Sequence, residues 1–208
     1  YGKRVIERFA DAGVLGENTI LAHGVHVTPH EIDLLAQSST WLSHQPRSNM
    51  NNAVGVAPIE EMIKQGVKVC LGNDGFSNAM WQEWFFAYLI QKDQQADPRA
   101  MNGYDVIRIA VENNSRLATQ TWDGLRIGKI EKGAAADLIL VDYQPITPMH
   151  AGNLPWHILF GFRDGMVTTT IAGGKIVMRD RKLLLLDEVE IAAKAREAAI
   201  RTWNRVNS

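Results

Sequence analysis

Leu71-Gly72-Asn73-Asp74-Gly75 is the stretch that decides how this 208-residue chain reads. It follows the apolar run Val67-Lys68-Val69-Cys70, which has the character of a buried β-strand, and it precedes a helical pattern starting near Ser77. An aspartate set between glycines at the carboxyl end of a strand is where α/β barrels carry catalytic carboxylates. Asp-Gly is also an ordinary turn signal, so the motif needs company before it implies chemistry. Upstream, Thr19-Ile20-Leu21-Ala22 reads as a strand ending at His23, and Thr40-Trp41-Leu42-Ser43 as a strand ending at His44. Three consecutive strands then end in His23, His44 and Asp74, and the ends of parallel strands converge on one face of a barrel.

The segments between these strands read as helices. Thr28-Pro29 supplies an N-cap and a first-turn proline for a helix running to about Ala36. Pro58 opens and Gly66 closes another. Residues 3–13 are amphipathic, with Val5, Ile6, Phe9, Ala10 and Val14 on one face. Residues 78–92 carry Met80, Trp81, Trp84, Phe85, Tyr88 and Leu89 on one side, a core face rather than a cofactor box, and Asp105 to Ala118 continues the helical period. Gln45 to Val54 reads as a polar loop. Alternation of this kind predicts an α/β fold with a parallel sheet of βα units.

The character changes at Leu125. Leu125–Ile130 and Ala136–Val141 read as short strands around Gly133, and Val167–Ile171 and Lys175–Met178 flank the hairpin signal Gly173-Gly174. A last helix runs from Glu188 to about Val206. The predicted organisation is a partial barrel over 1–124, a small β-subdomain over 125–186 and a C-terminal helix over 187–208. A start in mid-helix predicts a fragment of a longer protein, one that needs the remainder of its barrel or a self-association partner to cover open sheet edges.

Composition narrows the classes. Apolar residues make up 46% of the chain, enough for a core, and the net charge of −1 gives no electrostatic case for nucleic acid or an anionic membrane. The single cysteine, Cys70, excludes an internal disulfide framework and fits a reducing, cytoplasmic compartment. There is no apolar run of membrane-spanning length.

Among the residues able to do chemistry, Asp74 can ligate a divalent metal or accept a proton from an attacking water. His23 can polarise a substrate or ligate metal, although a lone histidine on an apolar strand is commonly a core residue. His26 reads as a structural or rim residue. Asn51 and Asn52 read as surface, Cys70 as a buried inert thiol, and His150 and His157 as histidines without partners at ligand spacing. No phosphate loop, CxxC pair or GxSxG elbow is present.

Leu21-Ala22-His23-Gly24, then Ser43-His44-Gln45-Pro46-Arg47-Ser48-Asn49, then Leu71-Gly72-Asn73-Asp74-Gly75 resemble successive motifs of the amidohydrolase superfamily, in the branch of metal-dependent deaminases and chlorohydrolases that includes the SsnA-type aminohydrolases. The run from Ile127 to Ile139 and the segment Ala172-Gly173-Gly174-Lys175 resemble the signature that leaves the barrel and the last hairpin of its composite β-domain. The resemblance implies the C-terminal part of a (β/α)₈ TIM barrel with a composite β-subdomain. It makes Asp74 the metal-binding and proton-shuttling aspartate after the last barrel strand. It makes His23 the catalytic histidine that contacts substrate after the sixth strand, and it puts His44 and Asn49 on the substrate side of the seventh. It implies one divalent metal ion, zinc first and iron second, and hydrolytic removal of an amino or halide group from a small nitrogen heterocycle. The sequence departs from that pattern at Asn73, where threonine is common, and at Gln45, where cysteine or asparagine is common. The family's other metal ligands fall before Tyr1, so the chain alone would hold the metal poorly. Two further readings stand beside this one: a non-catalytic fragment or interaction domain, and a cyclic-amide hydrolase of the same superfamily.

Overall fold

The structure, a computed structural model, describes residues 2–122 and 124–207. The elements follow in the order α1 (Val5–Asp11), β1 (Ile20–Ala22), α2 (Pro29–Ser38), β2 (Trp41–His44), α3 (Pro46–Asn51), α4 (Ile59–Lys64), β3 (Lys68–Leu71), α5 (Met80–Gln95), α6 (Gly103–Ile107) and α7 (Asn113–Thr121). Then come β4 (Leu138–Val141), α8 (Leu154–Trp156), β5 (Val167–Ala172), β6 (Lys175–Arg179), β7 (Lys182–Leu183) and α9 (Glu188–Val206). Two π-helical turns, Arg108–Glu112 and His157–Gly161, join α6 to α7 and extend α8. The chain divides into two compact units: Tyr1–Ala134 with Gln144–Asp164, and Ala135–Tyr143 with Gly165–Ser208.

In the first unit β1, β2 and β3 form a parallel sheet in that order, with Ile20 opposite Trp41 and Trp41 opposite Lys68. Helices α2 and α4 are the crossovers. The start of α2 is fixed by a capping box: Thr28 Oγ1 accepts from the Glu31 N–H at 3.3 Å, and the Glu31 carboxylate accepts from the Thr28 N–H at 2.9 Å. The core packs Leu42, Val69 and Leu71 of the strands against Ile32 and Leu35 of α2, Ile59 and Met62 of α4, and Trp84 and Ala87 of α5. Burying side chains of this size contributes about 1.5–3 kcal/mol each.

Two local expectations give way here. The stretch after His44 is not a loop but α3, entered through Pro46 at its first turn. Leu125–Ile130 is not a strand: Gly128 sits at φ 80°, with Ser115 occupying the space a Cβ would need, and Gly133 at φ 85° turns the chain back. Residues 144–164, counted with the β-subdomain on sequence grounds, group with the first unit. Their aromatics explain it, since Phe160 lies edge-on to Phe85 and Tyr88, and Phe162 edge-on to Trp81.

The second unit is a four-stranded antiparallel sheet in the order β4-β5-β6-β7. Gly173 (φ 55°) and Gly174 (φ 77°) make the two-residue turn between β5 and β6, where positive φ matches the strand twist. Helix α9 starts at Asp187, whose carboxylate accepts from the Val189 and Glu190 N–H groups at 3.0 Å. Among the described residues no helix is long and apolar enough to cross a membrane.

Candidate functional site

The three parallel strands bring His23, His44 and Asp74 to one end of the sheet. His23 follows β1 at φ 70°, and Asp74 lies just past β3 at φ 53°. Left-handed backbone is uncommon for residues with a side chain, and here it falls on both. The turn at His23 is held from the main chain: its N–H is shared between the Ser43 carbonyl and Gln45 Oε1, each at 2.9 Å. Gln45 is fixed in turn, with Nε2 donating to Ser43 Oγ at 2.7 Å.

Side chains then converge. His23 Nε2 lies 3.7 Å from Asp74 Oδ2, and its Nδ1 is 2.8 Å from Asn49 Oδ1. Ser48 Oγ donates to Asp74 Oδ2 at 2.6 Å. The imidazole and the carboxylate are both a little over two-fifths exposed, so they face an accessible space from which a substrate can approach. Ser48 and Asn49 come from consecutive positions of α3 and hold one member of the pair each.

His44 is placed differently. As the last residue of β2 its ring is enclosed at 1% exposure, and neither ring nitrogen has a hydrogen-bond partner among the described residues. Burial, with nearby His23 as the smaller cause, pulls its pKa from 6.5 to about 3, so the ring is neutral. Asn49 Nδ2 is likewise buried and unpartnered. Those nitrogens are the unused polar groups of the site.

Helix α3 is anchored from behind. Arg47 Nε donates to Glu83 Oε1 of α5 at 2.6 Å, and the other guanidinium nitrogens reach Gln82 Oε1 at 3.1 Å and the Ser77 carbonyl at 2.8 Å. Glu83 is fully enclosed and Arg47 nearly so. Sequence reasoning placed Arg47 and Ser48 inside a motif without giving them a task, and read α5 only as an aromatic face. The signal it had was the acidic Glu83 inside that face.

The remaining histidines and the cysteine lie outside this constellation. The His26 carbonyl accepts from Arg4, and His150 Nδ1 accepts from the Gly152 N–H at 3.0 Å. Cys70 is buried in β3, and burial pushes its thiol up to about 11. The donor set for a metal is short. Asp74 offers a carboxylate and His23 an imidazole beside it, but among the described residues no three His, Cys, Asp or Glu side chains come together. A zinc site takes three or four protein ligands, so these residues alone do not fit one.

Residues 2–177 match the model of the amidohydrolase family. The chain is 33% identical over 215 residues to a 5′-deoxyadenosine deaminase of Methanosarcina mazei, covering 100% of this chain and 48% of the relative. It is 35% identical over 205 residues to a 5-methylthioadenosine/S-adenosylhomocysteine deaminase of Haloarcula marismortui, covering 96% and 46%. A crystal structure of an adenosine deaminase from Xanthomonas campestris with bound zinc superposes with a TM-score of 0.85 at 27% identity, over 97% of this chain and 46% of that one. An atrazine chlorohydrolase from Arthrobacter aurescens, at 18% identity, shares the fold with a TM-score of 0.78 over 95% and 44%. The chain thus spans about half the length of the relatives it matches.

Proposed function

This chain belongs to the amidohydrolase family, and we propose that the protein it represents is a metal-dependent hydrolase that deaminates a small nitrogen heterocycle. Its fold is the C-terminal part of a (β/α)₈ amidohydrolase barrel with a small β unit. The observation that carries the functional reading is the convergence of Asp74 and His23 at the ends of β3 and β1, which flank β2, each held by its own residue of α3. Relatives named as deaminases of adenosine derivatives support a purine nucleoside as the substrate class and removal of its exocyclic amine as the reaction.

In this reading Asp74 accepts the proton of the attacking water and returns it to the leaving amine. Ser48, donating to Asp74 Oδ2, keeps the other oxygen turned toward the reaction. His23 orients the heterocycle, its ring fixed through Asn49, and the enclosed His44 and Asn49 back the substrate side from beneath it. The bound zinc of the Xanthomonas neighbour supports zinc ahead of iron, with the further ligands coming from the rest of the barrel; a metal there would activate the water. We place the protein in the cytoplasm on its single, buried cysteine. A second reading has its own observation: with no three potential ligands together among the described residues, these residues by themselves form a non-catalytic piece.

Ammonia release by the full-length protein from 5′-deoxyadenosine and 5-methylthioadenosine, measured beside chloride release from a chlorotriazine and ring opening of a cyclic amide, tests the proposal. Activity on the nucleosides that is lost on chelation and in Asp74→Asn supports it. Turnover of the cyclic amide alone, or an Asp74→Asn protein as active as the parent, rejects it.

A further inference from the structure

Gln45 stands between two elements that carry the site: it follows the last residue of β2 and is the N-cap of α3. An N-cap side chain ordinarily accepts from the first N–H groups of its own helix. That of Gln45 makes no such bond and reaches across to the end of β1 instead. Its partners fix which way the amide faces. The His23 N–H can only donate, so the atom 2.9 Å from it is the acceptor Oε1, which leaves Nε2 to donate to Ser43 Oγ at 2.7 Å. The amide also lies against the end of β3. A Cβ on Gly72 would come within 3.2 Å of Nε2 and 2.7 Å of Ser43 Oγ, so the glycine two residues before Asp74 is what makes room for it. One carboxamide thus lies at the ends of all three strands. Gln45 is 6% exposed, and its partners belong to strands that pair with one another inside this chain. Strands added beyond β1 or β3 leave these contacts in place.

We propose that Gln45 is a positioning residue for His23. At φ 70° the His23 backbone lies in a region that residues with a side chain seldom adopt. The Ser43 carbonyl gives its N–H one acceptor, as a continuation of the strand pairing, and Gln45 Oε1 gives it a second. Two acceptors define a direction for the N–H where one leaves it free to swing, and the ring follows the backbone. Held in this way, the ring meets Asn49 Oδ1 at 2.8 Å and stands 3.7 Å from Asp74 Oδ2. Loss of Gln45 Oε1 lets the turn relax and draws the imidazole away from both. Gln45 bonds the His23 backbone and not its ring, so its effect on the chemistry passes through the place of His23. The inference rests on the reading of His23 as the residue that orients the heterocycle.

The test uses the full-length protein, with kcat and KM for nucleoside deamination and the urea unfolding midpoint of each variant. Gln45→Met keeps the volume and removes the acceptor. It is expected to lose about 10- to 100-fold in kcat, with KM changed by less than about threefold and a midpoint close to the parent's. Gln45→Glu keeps an acceptor for the His23 N–H but buries a carboxyl group, so it is expected to lower the midpoint and yet recover most of the kcat lost in Gln45→Met. Activity and stability then move apart, which a structural role alone would not produce. His23→Asn, whose side chain tolerates left-handed backbone, is the reference. Adding Gln45→Met to it is expected to cost less than about threefold more, since residues that act through one another are not additive. Should Gln45→Met fail to fold, Gln45→Asn, a favoured N-cap one methylene too short to span from Ser43 to His23, is expected to fold and to lose about tenfold in kcat. Parental kcat in Gln45→Met or Gln45→Asn beside an impaired His23→Asn overturns this inference alone. A loss in Gln45→Glu as large as that in Gln45→Met, or an undiminished effect of Gln45→Met on top of His23→Asn, also overturns it. A His23→Asn protein as active as the parent overturns the proposed role of His23 and this inference with it.

Discussion

Replacing Arg47 by alanine tests whether α3 is held by its buried ion pair or merely decorated by it. Arg47 contributes the 2.6 Å bond from Nε to Glu83 Oε1, with further bonds to Gln82 at 3.1 Å and the Ser77 carbonyl at 2.8 Å. Glu83 is fully enclosed. Without the guanidinium its carboxylate keeps, among the described residues, the residue 47 N–H at 3.4 Å. Removing one partner of a buried pair costs about 3–5 kcal/mol, because the surviving charge is left desolvated. An exposed pair costs under about 1 kcal/mol, which makes Lys64→Ala, breaking the surface bridge to Glu60 at 3.1 Å, the internal control. Urea unfolding followed by tryptophan fluorescence reads both in the full-length protein. The double replacement Arg47→Met with Glu83→Leu is expected to recover most of the loss, since it removes both charges. An Arg47→Ala protein as stable as Lys64→Ala would refute the reasoning. Activity should fall with Arg47→Ala even below the denaturant transition, because α3 carries both Ser48 and Asn49.

Other outcomes follow from the same geometry. His44 is neutral when folded, with a pKa near 3 against 6.5 unfolded, so the unfolded chain binds the extra proton; stability is whole above 6.5 and falls as pH drops toward 3, by up to about 1.4 kcal/mol per pH unit. His44→Phe should flatten that slope in urea midpoints measured from pH 7 to pH 4, and an unchanged slope would assign it elsewhere. Asn49→Ala frees the His23 ring and is expected to lower kcat about 10- to 100-fold, the usual range for a residue that orients an active group, with little change in the unfolding midpoint; unchanged kinetics would remove Asn49 from the site. Gly72→Ala would set a Cβ 2.7 Å from Ser43 Oγ and 3.2 Å from Gln45 Nε2. It should destabilise by about 1–3 kcal/mol through overpacking and weaken the hold on the His23 N–H; full stability in unfolding experiments would mean that the pair simply moves aside.

What the sequence made legible was local. Thr28-Pro29 and Gly173-Gly174 carry their own instructions, a cap and a turn, and the structure follows them. The strands ending near His23, His44 and Asp74 could be read because short apolar runs broken by glycine have few other solutions. Residues 46–51 were misread as a loop because asparagine and serine favour loops locally; their helix is secured by an arginine whose partner lies on α5, a distant dependence that no window of sequence contains. Leu125–Ile130 alternates like a strand, but Gly128 and Gly133 lie in left-handed backbone.

The left-handed backbone at His23 and Asp74 bears on how this chain can evolve. Each is a place where glycine would be at ease and a side chain costs about 1 kcal/mol or more. A single nucleotide change turns aspartate into glycine, so at position 74 relief lies one step away. Such a change would silence Asp74 and make the turn easier to form in the same stroke. At these two positions stability and activity therefore pull in opposite directions, and a lineage freed from its chemistry would be expected to drift toward glycine. This sequence still carries His23 and Asp74.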